Sequence, residues 1–219
     1  MKKSKKILSL IIILLIIIVT FPFMFTDASA SIVDNTVEFT NYRKVNIKEK
    51  SKNTYETLFI LGDSRSVGME YIDNNTSHKY TAKVGEGYKY FNDNYEAVLR
   101  KATVKDAIII NFGINDLSNI DKYIKLFNEI VKNTESKIYF LTVNPVDEEK
   151  EIKNGYTIKN KDIDAFNEKM IKELDSRITV IDSNNILQEE GFETTDGIHF
   201  TKETYEKILN IIEKQFDNK

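Results

Sequence analysis

A chain of 219 residues, 41% hydrophobic and 30% charged, has the size and composition of one well-packed domain with an appendage rather than of a disordered polymer. It contains no cysteine, which excludes disulfides, thiolate nucleophiles and cysteine zinc sites. The net charge is −3, but four of the 31 basic residues lie in the opening "MKKSKK", leaving 27 against 34 acidic, or −7, for the remainder. Lys and Glu are interleaved with no basic stripe, so nucleic acid is not an expected partner.

After "MKKSKK" come nineteen uncharged residues, "ILSLIIILLIIIVTFPFMF", and then "TDASAS". A basic cluster before such a run is an export signal that keeps its lysines on the cytoplasmic side. The run has no polar face, as a buried core helix of a soluble protein would need at its surface, and at about 1.5 Å per residue it nearly spans a bilayer core of about 30 Å. "ASA" at 28–30 fits a signal-peptidase site, yet the apolar run exceeds the usual signal-peptide core of about 7–15 residues. The expectation is a transmembrane anchor over 1–30 with the rest of the chain outside the membrane, or a secreted protein if cleaved after Ala30. Residues 31–54 are polar and read as a stalk, with a short strand at "TVEFTNY".

From residue 55 to 219 apolar runs alternate with helical patterns. "TLFILG" (57–62), "YTAKV" (80–84), "DAIIINF" (106–112), "KIYFLTV" (137–143) and "RITVID" (177–182) are short and β-branched, as buried strands are. A short helix is expected from near Ser66. In "LSNIDKYIKLFNEIVKN", Ile120, Ile124, Phe127 and Val131 recur at helical spacing; "KDIDAFNEKMIKEL" and "TKETYEKILNIIEKQF" behave alike, the last with Thr201 as its N-cap. The alternation predicts right-handed crossovers, a five-stranded parallel sheet and a flavodoxin-like three-layer α/β/α sandwich. In such sheets the site lies beyond the carboxyl ends of the strands.

Ser64 in "GDSRS" follows the first strand and sits at a helix start, where the helix dipole favours developing negative charge. The same residues also make an ordinary capping turn, so Ser64 needs a base elsewhere. Of the two histidines, His78 precedes the second strand and is read as a solvated loop residue at the wrong edge. His199, in "TTDGIHF", lies three residues after Asp196, a spacing that lets the carboxylate accept from the imidazole and leave the other nitrogen for Ser64. Oxyanion donors are sought at Gly85 or Gly87 after the second strand and at Gly113 and Asn115 in "GIND" after the third. The long polar segment 144–160 is placed to wall the pocket, or to be a solvated insertion beyond Asp147. No other cluster has metal-ligand spacing, and "VGEG" lacks the Lys-Ser/Thr ending of a phosphate-binding loop, so no metal or cofactor is expected.

"GDS", a glycine after the second strand, "GIND" and "DGIH" resemble, in order, the four blocks of the SGNH (GDSL-type) hydrolases over residues 57 to about 216, and "GDSR" resembles a subgroup of exported bacterial members. The resemblance implies Ser64 as nucleophile, Asp196 and His199 as its partners, and an oxyanion hole from the Ser64 N–H, Gly85 and Asn115. It implies an esterase acting on short acyl groups, such as O-acetyl on envelope glycans; acyl transfer, lipase or thioesterase activity, and a non-catalytic envelope-binding module are the alternatives. The second block lacks the family's asparagine before its glycine, which leaves Gly85 and Gly87 both open. Arg65 stands where the family has leucine, either bracing the loop or meeting an anionic substrate; bracing is favoured.

Overall fold

The computed structural model describes residues 55–217. The expected anchor (1–30), the stalk (31–54) and the strand at 36–42 lie outside the described residues, among which no helix is long and apolar enough to cross a membrane.

Five parallel strands, β1 (Leu58–Gly62), β2 (His78–Ala82), β3 (Ala107–Asn111), β4 (Lys137–Leu141) and β5 (Thr179–Ile181), form one sheet in the order β2-β1-β3-β4-β5. The order reverses between β1 and β3, which opens a crevice at their carboxyl ends. Among the described residues seven helices connect and cover them: α1 (Ser64–Ile72), α2 (Tyr88–Leu99), α3 (Ile120–Ile130), α4 (Glu148–Lys153), α5 (Asn160–Glu173), α6 (Ser183–Glu190) and α7 (Lys202–Asp217). A 3₁₀ turn, Leu117–Asn119, leads into α3.

The strands are apolar on both faces because both are covered. Leu61, Ile108, Ile110, Ile138 and Phe140 pack under α2, α3 and α5 with Phe91, Phe127, Ile163 and Met170. Phe91 is fully buried within ring contact of Phe112, Tyr123 and Phe127, at 5.3–6.2 Å between centroids. On the other face α7 reaches the sheet, where Phe216 meets Tyr139 edge-on at 5.2 Å, and α1 packs on α7. That packing needs Gly68, since a Cβ there would lie 2.3 Å from Tyr205 Cζ.

Three helices, α2, α4 and α6, have no counterpart in the periodicity. In α2, "YKYFNDNYEAVL", only Phe91 and Val98 are buried, so its apolar stripe is two residues long. Helices α4 and α6 are short and start on side-chain caps: Asp147 accepts from Lys150 N, and Asp182 from Asn185 N. Strand β2 begins two residues before its expected start, at His78. His78 is therefore not a solvated loop residue. It is buried, with its ring between Asp73 (2.6 Å), Glu213 (3.0 Å) and the Tyr55 hydroxyl (2.8 Å). Burial alone would lower its pKa, but hydrogen bonds to Asp73 and Glu213 outweigh that and raise it to about 9. The cluster ties β2 to α7 at the amino end of the sheet. Sequence spacing could not reveal it, because Glu213 is 135 residues away.

Candidate active site

Beyond the carboxyl end of β1 the chain turns sharply. Gly62 closes that turn, with Ser66 Oγ 1.9 Å from where a Cβ would stand, and Ser66 Oγ in turn accepts from Asn111 Nδ2 of β3 at 2.9 Å. Asp63 caps α1 by accepting from Arg65 N at 2.9 Å, so α1 starts at Ser64, two residues earlier than expected. The Ser64 amide is the first of the helix, with no acceptor among the described residues. Asp63 is buried, and desolvation raises its pKa to about 6 against the opposing Arg65 N–H and Arg65 charge.

His199 Nε2 lies 2.9 Å from Ser64 Oγ, and its Nδ1 lies 2.6 Å from Asp196 Oδ2. The loop between α6 and α7 holds this pair rigidly. Asp196 Oδ1 accepts from the backbone N–H groups of Ile198 (2.9 Å) and His199 (2.7 Å). Burial pushes the Asp196 carboxyl up, but the hydrogen bond from His199, its charge and those two N–H groups hold it at about 2. Asp196 is thus ionised at neutral pH. A serine, an imidazole and a carboxylate in this chain can move a proton from Oγ to Nε2 while the carboxylate fixes the tautomer.

The other expected donors occupy two neighbouring loops. Gly85, with φ of 75°, is at the exposed apex of the β2–α2 turn, and a Cβ added there meets nothing. Gly87 lies against the "GIND" segment; a Cβ on it would be 2.5 Å from the Asp116 carboxylate. Asp116 accepts from Tyr88 N (2.8 Å), Asn119 Nδ2 (2.8 Å) and Tyr123 Oη (2.6 Å), so a core tyrosine anchors the start of α2. Asn115 is exposed and gives one N–H of its carboxamide to the Glu86 carbonyl at 2.7 Å, leaving the second free to turn outward. An open cleft of about 640 Å³ begins at Ile114–Asp116 and runs between the 3₁₀ turn and α5. Ile114, Leu117 and Phe166 line its depth, with Ser118, Asp162 and Lys169 among its polar neighbours.

Residues 46–212 match the GDSL-like lipase/acylhydrolase family. The chain belongs to this family. Solved structures agree with the assignment at the level of the fold. A Streptococcus pneumoniae protein is 15% identical with a TM-score of 0.63, covering 87% of this chain and 99% of its own. The lipase/acylhydrolase from Enterococcus faecalis is 16% identical, TM-score 0.55, over 74% and 95%. An acetyl xylan esterase is 16% identical, TM-score 0.53, over 72% and 98%. No curated protein matches the sequence. As an acylhydrolase of the SGNH/GDSL class, the protein is an ester hydrolase.

One feature of this acylhydrolase's site was beyond sequence reading. Residues 144–160 are neither wholly solvated nor only a wall. Glu151 is fully buried, and the segment straps the loop that carries Asp196 and His199. Asp147 N donates to Gly197 O (2.9 Å), Lys150 Nζ to Thr194 O (2.9 Å) and Asn154 Nδ2 to Asp196 O (3.0 Å). Gly197, with φ of 101°, permits this approach, since a Cβ would be 2.3 Å from Glu151 N. Arg65 takes the loop-bracing orientation that the sequence favoured over contact with an anionic substrate. It is 2% exposed and points into the protein.

Proposed function

We propose that the protein is a serine esterase that removes short acyl groups, O-acetyl foremost, from glycans of the cell envelope, with Ser64 as nucleophile. The continuous chain from Asp196 through His199 to Ser64, at 2.6 and 2.9 Å, carries the reading. Ser64 Oγ attacks the ester carbonyl as its proton passes to His199 Nε2. The tetrahedral oxyanion is met by the Ser64 N–H at the start of α1 and by Asn115. Gly87 is the third donor in place of Gly85, because it adjoins the Asp116 segment whereas Gly85 stands at an exposed apex. Collapse breaks the ester C–O bond, and His199 gives its proton to the leaving sugar oxygen. Water then attacks the acyl-enzyme, its proton going to His199 and on to Ser64 Oγ as the acid departs.

The glycan side of the proposal is supported by the open cleft beside Asn115, whose apolar depth and polar edge suit sugar rings and their hydroxyls. The name of the acetyl xylan esterase with the same fold is consistent with it. The envelope location is supported by the lysines and apolar run of residues 1–25.

A membrane-impermeant fluorophosphonate applied to intact cells tests mechanism and location together. Labelling of wild type but not of Ser64→Ala or His199→Ala is expected, with acetate released from isolated envelope glycans. Equal labelling of wild type and Ser64→Ala defeats the mechanism. Labelling only after lysis defeats the location. Labelling with the acetyl group recovered on a second sugar replaces hydrolysis by transfer.

A further inference from the structure

Arg65 follows the nucleophile directly, yet all three of its nitrogens are committed to backbone carbonyls. Nε donates to Ile198 O at 3.0 Å, Nη1 to Asn144 O at 2.7 Å and Nη2 to Pro145 O at 3.0 Å. Its guanidinium carbon lies 4.7 Å from the centre of the Phe200 ring. Burial pulls its pKa down, the carboxylate charges of Asp63 and Asp196 oppose that, and a guanidinium stays protonated under such conditions. With 2% exposure and each of its three nitrogens donating to a backbone carbonyl, Arg65 is turned into the protein rather than toward an anionic substrate.

What it holds is specific. Ile198 O and His199 N belong to one peptide unit. Arg65 grips the carbonyl end, and Asp196 Oδ1 grips the N–H end at 2.7 Å. The backbone of His199 is therefore fixed from both sides, and one of the two anchors is the residue bonded to Ser64. Through Arg65 the nucleophile and its base are cross-linked over 133 residues of sequence. The bonds to Asn144 and Pro145 add the exit of β4, where the strap over Gly197 begins. Charge-assisted bonds to three carbonyls are stronger than neutral ones and set direction as well as distance.

Resting on the serine-esterase reading, we propose that Arg65 is a positioning residue: it locks the nucleophile loop, the histidine loop and the β4 exit into one unit that sets the His199–Ser64 distance. A ligand-binding role would act on KM. A positioning role acts on the step in which Oγ loses its proton, where about 1 Å of displacement costs on the order of 10²-fold in rate.

The test uses the full-length protein in detergent, with a neutral chromogenic acetyl ester and with fluorophosphonate labelling, rates being counted per active site. Arg65→Ala is expected to lose about 10²-fold in kcat and in labelling rate, with KM changed less than about threefold. Added guanidinium ion, at concentrations that leave wild type unaffected, is expected to restore part of both. Arg65→Lys keeps the charge but reaches fewer carbonyls, and about 10-fold loss is expected. If Arg65→Ala does not fold, Arg65→Lys decides. A raised KM with unchanged kcat overturns the proposal in favour of substrate contact. A lowered melting temperature with wild-type kcat per site, in either variant, overturns it in favour of a purely structural brace. Absence of guanidinium rescue in a folded Arg65→Ala overturns the clamp as the cause of the loss. Wild type that is not labelled at Ser64 overturns the esterase reading itself, whereas a labelled wild type with equally fast variants overturns the clamp alone.

Discussion

His78→Gln should remove a pH-dependent part of the folding energy without touching catalysis. In the folded protein His78 lies between Asp73 and Glu213, with Tyr80 Oη also on Asp73 at 2.6 Å and Asn75 Nδ2 on Glu213 at 3.1 Å. Its pKa rises from 6.5 to about 9 while that of Asp73 falls, its burial being outweighed by the hydrogen bond from His78. The folded state therefore binds this proton more tightly than the unfolded chain. The stabilisation is complete below pH 6.5 and is lost as pH rises through about 9. At roughly 1.4 kcal/mol per pH unit, the whole interval corresponds to about 3 kcal/mol, an order-of-magnitude figure. Urea unfolding of wild type and His78→Gln at a series of pH values from 6 to 9.5 measures it. Groups common to both proteins cancel in the difference, which should shrink by about 1.4 kcal/mol per unit between pH 7 and 9. A difference that stays constant across that interval refutes the reasoning. Because the cluster sits at the amino end of the sheet and Ser64 at the carboxyl end, kcat of the folded variant at pH 6 to 7 should match wild type.

Two further substitutions probe the site. Gly87→Ala places a Cβ 2.5 Å from the Asp116 carboxylate and should displace an oxyanion donor, lowering kcat by about 10²-fold, while Gly85→Ala points into open space and should change kcat less than about twofold. The reverse ranking in a steady-state esterase assay would return the assignment to Gly85. Gly197→Ala sets a Cβ 2.3 Å from Glu151 N at a φ of 101°, and should cost about 1–3 kcal/mol of backbone strain together with loss of activity as the strap lifts from the Asp196 loop. Thermal melts and kcat that both match wild type would show that the strap does not bear on the site.

The five strands and helices α3, α5 and α7 were legible in the chain because their apolar spacing spans several turns or a whole buried run. Ile108, Ile109 and Ile110 are buried whichever face they take. Helix α2 escaped because its buried stripe is Phe91 and Val98 alone, and α4 and α6 because they are held by caps and contacts rather than by periodicity. His78 was misplaced for a related reason: its surroundings "DNNTSHKY" are polar, but His78 itself is buried and paired with Asp73 and, from the far end of the chain, Glu213.

What the sequence determined by itself is the chemistry on offer: a serine after one strand, a carboxylate and an imidazole three residues apart, and an amide after another strand. Residue types and short-range spacing are local properties, and the Asp196–His199 pair is a local contact at 2.6 Å. Tertiary structure alone decided which glycine faces Asp116, that residues 147–154 close over Gly197, and which carbonyls Arg65 reaches, that of the peptide carrying His199 among them. Each depends on how loops from different strand ends meet. A side chain's direction there is set by carbonyls 79 to 133 residues away, which no pattern within the chain records.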